Sequence, residues 1–265
     1  MTNLGKRGLE RRYLAACAVA REAGELARRR YSNRGEIGFK FKGPQDYLTA
    51  ADGEVERLII SRLGEAFPDD TFFGEEGGGH FSPQVWVIDP IDGTANFARG
   101  IPHFCISIAF VREGEMALGT IYDPMADELF AARRGGGAFI NSNPMKVSDT
   151  SELSRAVIEL GWSTRRPAAA YLDVLGRVIA AGSSFRRAGS GALGLAYVAE
   201  GRQDGYCELH INSWDALAGL LMVQEAGGWT NDFLANDGLA QGNPVIAAAP
   251  GIKDALATVT GIGQG

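Results

Sequence analysis

Residues 85–97 read VWVIDPIDGTANF. The apolar run predicts a buried strand. At its end stand two aspartates, Asp89 and Asp92, with no arginine or lysine between them. Pro90 lacks an N–H and fixes its φ, which stiffens the segment and leaves the Ile91 carbonyl free to act as a ligand. Past Gly93 the chain is expected to enter a helix. Both carboxylates then lie near the carboxyl end of a strand, where open α/β sheets place their ligands. One such aspartate, or a lone Asp-Gly, reads as a turn or N-cap residue. Further acids in matching strand-end or turn positions shift that balance: Asp52 after DYLTAA, Glu75 and Glu76 in GEE, and Asp215 in NSWD.

Carboxylates gathered together repel one another and take up protons at neutral pH unless a cation relieves them. An all-oxygen donor set with no neighbouring Cys or His favours Mg²⁺, which takes carboxylates, a carbonyl and retained waters. The three histidines, His80, His103 and His210, do not fall at zinc-ligand spacing.

On the N-terminal side, residues 9–32 carry apolar residues at helical spacing with an arginine-rich polar face, predicting an amphipathic helix. Residues 34–52 are a loop or hairpin, and a second helix spans 53–66, stopped by Pro68. FFGEEGGG reads as a turn-prone run. On the C-terminal side, CISIAFVRE, MALGTIYDP and DELFAARR predict antiparallel strands, and GGGAFINSNPMKVS another hairpin. After residue 150 strands alternate with helices: AVIELG, AAYLDVLGRVIAAG, FRRAG, SGALGLAYVAEG with Ser190 as N-cap, GYCEL, WDALAGLLMVQEAGG, PVIAAAP and IKDALATVT. That alternation predicts layered α/β packing.

The 265 residues, 45% hydrophobic, suffice for one large domain or two tightly joined halves. Three scattered cysteines among apolar neighbours read as reduced core thiols. Arginines interrupt every apolar run of the N-terminus, and no stretch is long enough to span a membrane, so the chain is expected to be cytoplasmic. A net charge of −6 disfavours a nucleic-acid partner. GSG at 189–191 lacks the Lys and spacing of a P-loop.

WVIDPIDGTANF followed by IPHFCISIAF resembles the first signature of the inositol monophosphatase family, and NSWDALAGLLMVQEAGG resembles its second. FFGEE resembles that family's G-E-E loop and QDYLTAAD its D-x-x-T-x-x-D segment. The resemblance implies a single α/β/α/β/α sandwich, with a motif-bearing sheet from residues 1–150 and a second sheet from 151–265, and a homodimer. It implies Mg²⁺, two or three ions: Glu75, Asp89 and the Ile91 carbonyl for one, Asp89, Asp92 and Asp215 for a second, and Asp52 with Glu75 for a looser third. Thr94 would hydrogen-bond the attacking water, Glu75 would help draw off its proton, and Gly93 and Thr94 would aim N–H groups at the phosphate. Ser163, Gly189, Ser190, Gly191 and Glu208 match the substrate side, and Lys40 or Lys42 the mobile loop. The implied reaction is in-line attack of water on a phosphate monoester, with Li⁺ sensitivity.

Two departures bear on substrate: Asn212 stands where many relatives have His, and Gly191 where they have Ala. Both alter the alcohol side of the pocket. Inositol 1-phosphate is the first expected substrate, and histidinol phosphate, or a sugar bisphosphate or nucleotide phosphate as in other members of the family, the alternative. An interaction protein of the transcription machinery is the rival from another class.

Overall fold

The structure, a computed structural model, describes residues 3–33, 40–43 and 46–263. The chain begins with helix α1 (Asn3–Ser32), hairpin strands β1 (Lys40–Gly43) and β2 (Asp46–Leu48), and helix α2 (Ala50–Ala66). Strands β3 (Thr71–Gly74), β4 (Gly78–Gly79) and β5 (Gln84–Asp92) and the short helix α3 (Thr94–Arg99) follow. Then come β6 (Cys105–Arg112), β7 (Glu115–Asp123), β8 (Glu128–Arg133), β9 (Gly137–Ile140) and β10 (Asn143–Pro144). These build an eight-stranded sheet in the order β10-β9-β8-β7-β6-β5-β3-β4. It is antiparallel except that β3 runs parallel to β5.

Apolar residues fill both sides of β5 and β6 because both faces of the sheet are covered. Trp86, Ile88, Ile106 and Phe110 pack with Ala16, Val55 and Ile59 of α1 and α2. Val85, Val87, Ala109 and Val111 face the opposite way, into a core that includes Leu193, Leu217 and Leu221. Those leucines belong to two helices of the second half, α5 (Gly191–Ala199) and α6 (Ser213–Glu225). The close approach is visible at Gly119 of β7, where a Cβ would stand 2.6 Å from Ala218 Cα of α6.

The second half also supplies β11 (Val157–Leu160), α4 (Ala168–Ala180), β12 (Ser184–Arg186), β13 (Gly205–Ile211), β14 (Trp229–Thr230), the short α7 (Gly238–Gln241), β15 (Asn243–Ala248) and α8 (Lys253–Thr260). Its five-stranded sheet has the order β12-β11-β13-β15-β14. Strands β12, β11 and β13 run parallel. Tyr206, Val245 and Ala247 join the core shared with α5 and α6, and Ile158, Cys207 and Ile246 face Val174, Val178 and Leu256 on the far side. The expected sandwich of helices, sheet, helices, sheet and helices is what forms.

Some boundaries differ from the sequence reading. The first helix starts at Asn3, ahead of residue 9. The second starts at Ala50, not 53, because Thr49 caps it and Asp52 closes a capping box as its N3 residue. Asp52 therefore sits in a first helical turn and not at a strand end. The run FFGEEGGG is part strand, as Phe72, Phe73 and Gly74 pair in β3. The anticipated hairpin is present as the antiparallel pair β1 and β2; residues 34–39 and 44–45 and the side chains of Lys40 and Lys42 lie outside the described residues. All three cysteines carry free thiols, and no helix among the described residues is long and apolar enough to cross a membrane.

Candidate metal centre and cleft

Residues three apart on a regular strand point to opposite faces, so Asp89 and Asp92 should diverge. They converge because β5 bulges between them: Asp89 pairs with Ser107 and Asp92 with Cys105, two residues on β6 spanned by three steps on β5. Pro90, which cannot donate to the ladder, sits in that bulge. Asp89 shares the parity of Val85 and Val87 and so faces the α6 layer, where Asp215 occupies the first turn of α6. Ser107 Oγ donates to the Trp214 carbonyl at 2.9 Å, fixing that turn against β6. Carboxylate oxygens of Asp89, Asp92 and Asp215 lie within 4.8 Å of one another.

Local hydrogen bonds aim each acid. Asp89 Oδ1 accepts from the Ile91 N–H at 2.9 Å. Asp92 Oδ2 accepts from the Ser190 hydroxyl and, at 2.8 Å, from the Ala192 N–H. Glu75 follows the last residue of β3, whose parallel pairing with β5 brings it beside Asp89, and its N–H donates to the Ile88 carbonyl at 3.1 Å. The loop beyond is held by the buried Glu56 of α2, whose Oε1 accepts N–H groups from Glu76 and Gly77 at 3.2 and 3.3 Å.

Burial pushes the Asp89 carboxyl well above the usual range, and the charges of Glu75, Asp215 and Asp92 push it further. Asp215 rises to about 7, through burial and then Asp92. Asp92 also rises through burial, opposed by the Ser190, Ala192 and Gly191 donors. Among the described residues no Lys or Arg forms an ion pair with Asp89, Asp92 or Asp215, and the Arg165 charge offsets only part of the rise at Asp215. Three converging, mutually repelling carboxylates, Asp89 and Asp92 buried and Asp215 partly so, with oxygen donors alone, fit a hard divalent cation.

Asp52 stands apart from this trio. Its Oδ2 accepts from the Thr49 N–H at 2.8 Å and from the Thr49 hydroxyl, leaving Oδ1 for Thr94 Oγ1 at 3.2 Å. Burial raises its pKa. Thr94 Oγ1 also lies 2.9 Å from the Ile91 carbonyl; its single proton serves Asp52 or that carbonyl at any one time, and the carbonyl keeps a lone pair either way. Gly93 starts α3 at φ +98°, and a Cβ there would meet the His103 carbonyl at 3.0 Å, so only glycine suits this turn.

Beside the acids opens a cleft of about 610 Å³. Ser163, Gly189, Ser190, Gly191, Glu208 and Asn212 all line it, together with Glu75, Asp92 and Asp215. Gly93 and Thr94 lie next to it at the start of α3. Ser190 caps α5 as expected, accepting from Leu193 N–H at 3.3 Å. Asn212 precedes α6 without a side-chain capping bond.

Sequence reading missed Glu56, the Ala192 N–H and Tyr206. Tyr206 is buried and donates its hydroxyl to Glu208 Oε2 at 2.7 Å. A Cβ at 191 would stand 2.9 Å from Ile211 Cδ1 and 3.0 Å from the Tyr206 hydroxyl, and one at 161 would collide with Glu208 Oε2 and with that hydroxyl, so the Tyr206–Glu208 pair crowds both glycines. The two-residue spacing of Tyr206 and Glu208 on one strand places them on one face, a signal available in GYCEL. Burial lifts Glu208 to about 8.

Residues 9–261 match the model of the inositol monophosphatase family. An inositol-1-monophosphatase of Rhizobium meliloti (strain 1021) is 40% identical over 252 residues, 93% of this chain and 92% of that protein. The Nus factor SuhB of Salmonella typhimurium (strain 14028s / SGSC 2262) is 36% identical over 246 residues, 91% of this chain and 92% of that one. Among solved structures, the extragenic suppressor protein suhB from Bartonella henselae superposes with a TM-score of 0.88 at 38% identity, covering 94% of this chain and 98% of the other.

Proposed function

Since the chain belongs to the inositol monophosphatase family and is a phosphoric monoester hydrolase, we propose that it hydrolyses a small phosphorylated polyol, inositol 1-phosphate foremost, with Mg²⁺. The observation that carries this reading is the convergence of Asp89, Asp92 and Asp215 across the β5 bulge. With Glu75 and the second lone pair of the Ile91 carbonyl they would hold two Mg²⁺ ions, and Asp52 with Glu75 a looser third. Bound there, Mg²⁺ supplies Lewis-acid activation of water and neutralises charge on the phosphate and the leaving oxygen.

The chain's own groups do the rest. Thr94, donating to Asp52 Oδ1, keeps its lone pairs for a proton of the attacking water and so orients it. Glu75, half-buried beside Asp89, takes up that proton. N–H groups of Gly93 and Thr94 face the phosphate. Ser163, Gly189, Ser190, Gly191, Glu208 and Asn212 surround the alcohol, and the Tyr206 hydrogen bond holds the Glu208 carboxyl in place to read a substrate hydroxyl.

The test is phosphate release from about a dozen monoesters, histidinol phosphate included, with Mg²⁺ and with a chelator. Turnover of inositol 1-phosphate that needs Mg²⁺ supports the reading; preference for histidinol phosphate replaces the substrate; no turnover of any monoester overturns it. Inhibition by millimolar Li⁺ at limiting Mg²⁺, a homodimer and a cytoplasmic location belong to the same reading and rest on the family resemblance.

A second reading rests on the Salmonella relative's name, Nus factor SuhB: that the chain also contacts the transcription machinery. Its net charge of −6 disfavours RNA as the direct contact. Co-sedimentation with purified RNA polymerase, at physiological salt, distinguishes the two readings.

A further inference from the structure

Glu75 stands one residue past the end of β3, in a turn that spans residues 75–77. The hydrolysis proposed above needs its carboxyl held against Asp89, and three successive amides hold the turn. The Glu75 N–H donates to the Ile88 carbonyl of β5 at 3.1 Å. The next two, of Glu76 and Gly77, donate to Glu56 Oε1 at 3.2 and 3.3 Å. Successive N–H groups turned toward one anion form a nest, and here the anion is a side chain of the same molecule. Glycines on either side make room for it. A Cβ at Gly74 would collide with Glu56 Oε1, and one at Gly77 would stand 3.1 Å from Oε2.

Glu56 is 5% exposed, and Asp52, one helical turn earlier on the same face of α2, is fully buried. Like charges at that spacing are destabilising, and burial adds a desolvation cost. A stabilising role for the helix therefore does not account for an acid at 56. What the two acids share is direction. Asp52 Oδ1 lies 3.2 Å from Thr94 Oγ1, and Glu56 holds the turn that carries Glu75. One face of α2 thus reaches both groups assigned above to the attacking water, while Glu56 itself stays outside the cluster of Asp89, Asp92 and Asp215.

We propose that Glu56 is a positioning residue for the hydrolysis: its carboxylate, seated in the nest of the 75–77 turn, fixes the Glu75 carboxyl against Asp89, so that α2 brings Thr94 and Glu75 to bear on one water. This deepens the phosphatase reading above and rests on it.

The experiment compares Glu56→Gln, Glu56→Asp and Glu56→Ala with the parent chain. Three quantities are read: kcat and KM on a monoester that the parent hydrolyses, Mg²⁺ binding to the resting protein by titration calorimetry, and the denaturant midpoint. Gln keeps an accepting oxygen at the same reach, Asp keeps the charge but stops one methylene short, and Ala removes both. Glu56→Gln should stay within about fivefold of the parent kcat, since a neutral oxygen accepts the same two N–H groups more weakly. Glu56→Asp and Glu56→Ala should each lower kcat by roughly ten- to a hundredfold, the usual effect of a reacting group displaced by about 1 Å. Both should weaken Mg²⁺ binding by roughly tenfold and leave KM within about twofold, because the alcohol is held by other loops. A lower denaturant midpoint with kcat and Mg²⁺ binding unchanged confines Glu56 to the fold and overturns the proposal. Equal losses in Glu56→Gln and Glu56→Ala overturn it too, since charge and not the hold on the two amides would then be what counts. If Glu56→Ala does not fold, Glu56→Asp decides: parental kcat and Mg²⁺ binding in that variant overturn the role and leave the phosphatase reading standing. No turnover of any monoester by the parent chain overturns both.

Discussion

Asp89 is the residue on which the other acids of the site bear: Glu75, Asp215 and Asp92 all raise its pKa. Asp89→Asn removes charge from the centre of the cluster without changing shape. Turnover should drop more than about a hundredfold on every substrate, because several kcal/mol of charge stabilisation would depend on the cations proposed to be held there. Near-normal kcat would remove Asp89 from the proposed role. The same burial has a consequence for stability. Asp215 and Glu208 titrate near 7 and 8 in the folded chain, against about 3.9 and 4.3 when unfolded. Their folded pKa values are raised, so the stability they contribute is fully present below about pH 4 and is lost as pH rises through about 7 and 8. In chelator, Tm should therefore fall between about pH 5 and 8, and the gain in Tm on adding Mg²⁺ should be largest at the alkaline end. Calorimetry at stepped pH checks this, and a Mg²⁺ gain that shrinks with rising pH contradicts it.

Ser190 links an element to the site. Its hydroxyl oxygen caps α5 by accepting from Leu193, and its proton goes to Asp92. Ser190→Ala should cost about 1 kcal/mol in stability from the lost cap and raise the Mg²⁺ concentration for half-maximal activity by roughly ten- to a hundredfold. Denaturant midpoints and Mg²⁺ titrations measure the two effects separately; a stability loss alone would confine Ser190 to the helix. Elements like this one were readable where the signal is local: the apolar runs at 85–88 and 105–111, the N-cap at Ser190, the turns at Gly-rich breaks. The β5 bulge was not, since it depends on which β6 residues pair with Asp89 and Asp92, and alternation alone sends those two side chains apart. The capping box at Thr49 could have been read, because Asp52 lies three residues on, but the apolar period starts later and masks it. Glu56 gives no sequence cue: an acid on a helix ordinarily faces water, and only tertiary packing turns this one onto the Glu76 and Gly77 amides.

Considered as a whole, the molecule is joined through its middle layer. One face of the large sheet, helices α5 and α6, and the inner face of the second sheet share a single apolar core, with Val85 and Val87 at one side and Val245 and Ala247 at the other. Neither half can bury its inner face without the other. Residues 1–150 and 151–265 should therefore unfold together, as one transition that superimposes when followed by far-UV circular dichroism and by fluorescence of Trp86, Trp162, Trp214 and Trp229. Two separated transitions would show that the halves are independent.

The division of labour across that middle layer bears on how such a protein diversifies. Glu75, Asp89 and Asp92 hang from the large sheet, while Ser163, Arg165, Arg187, Gly189 and Glu208 hang from the carboxyl edge of the second. Loops 161–167 and 187–189 can be exchanged between relatives without touching a strand that bears a carboxylate of the cluster. Grafting those two loops should transfer substrate ranking from donor to recipient while the recipient keeps its own Mg²⁺ dependence, so that the chemistry is inherited and the menu is traded.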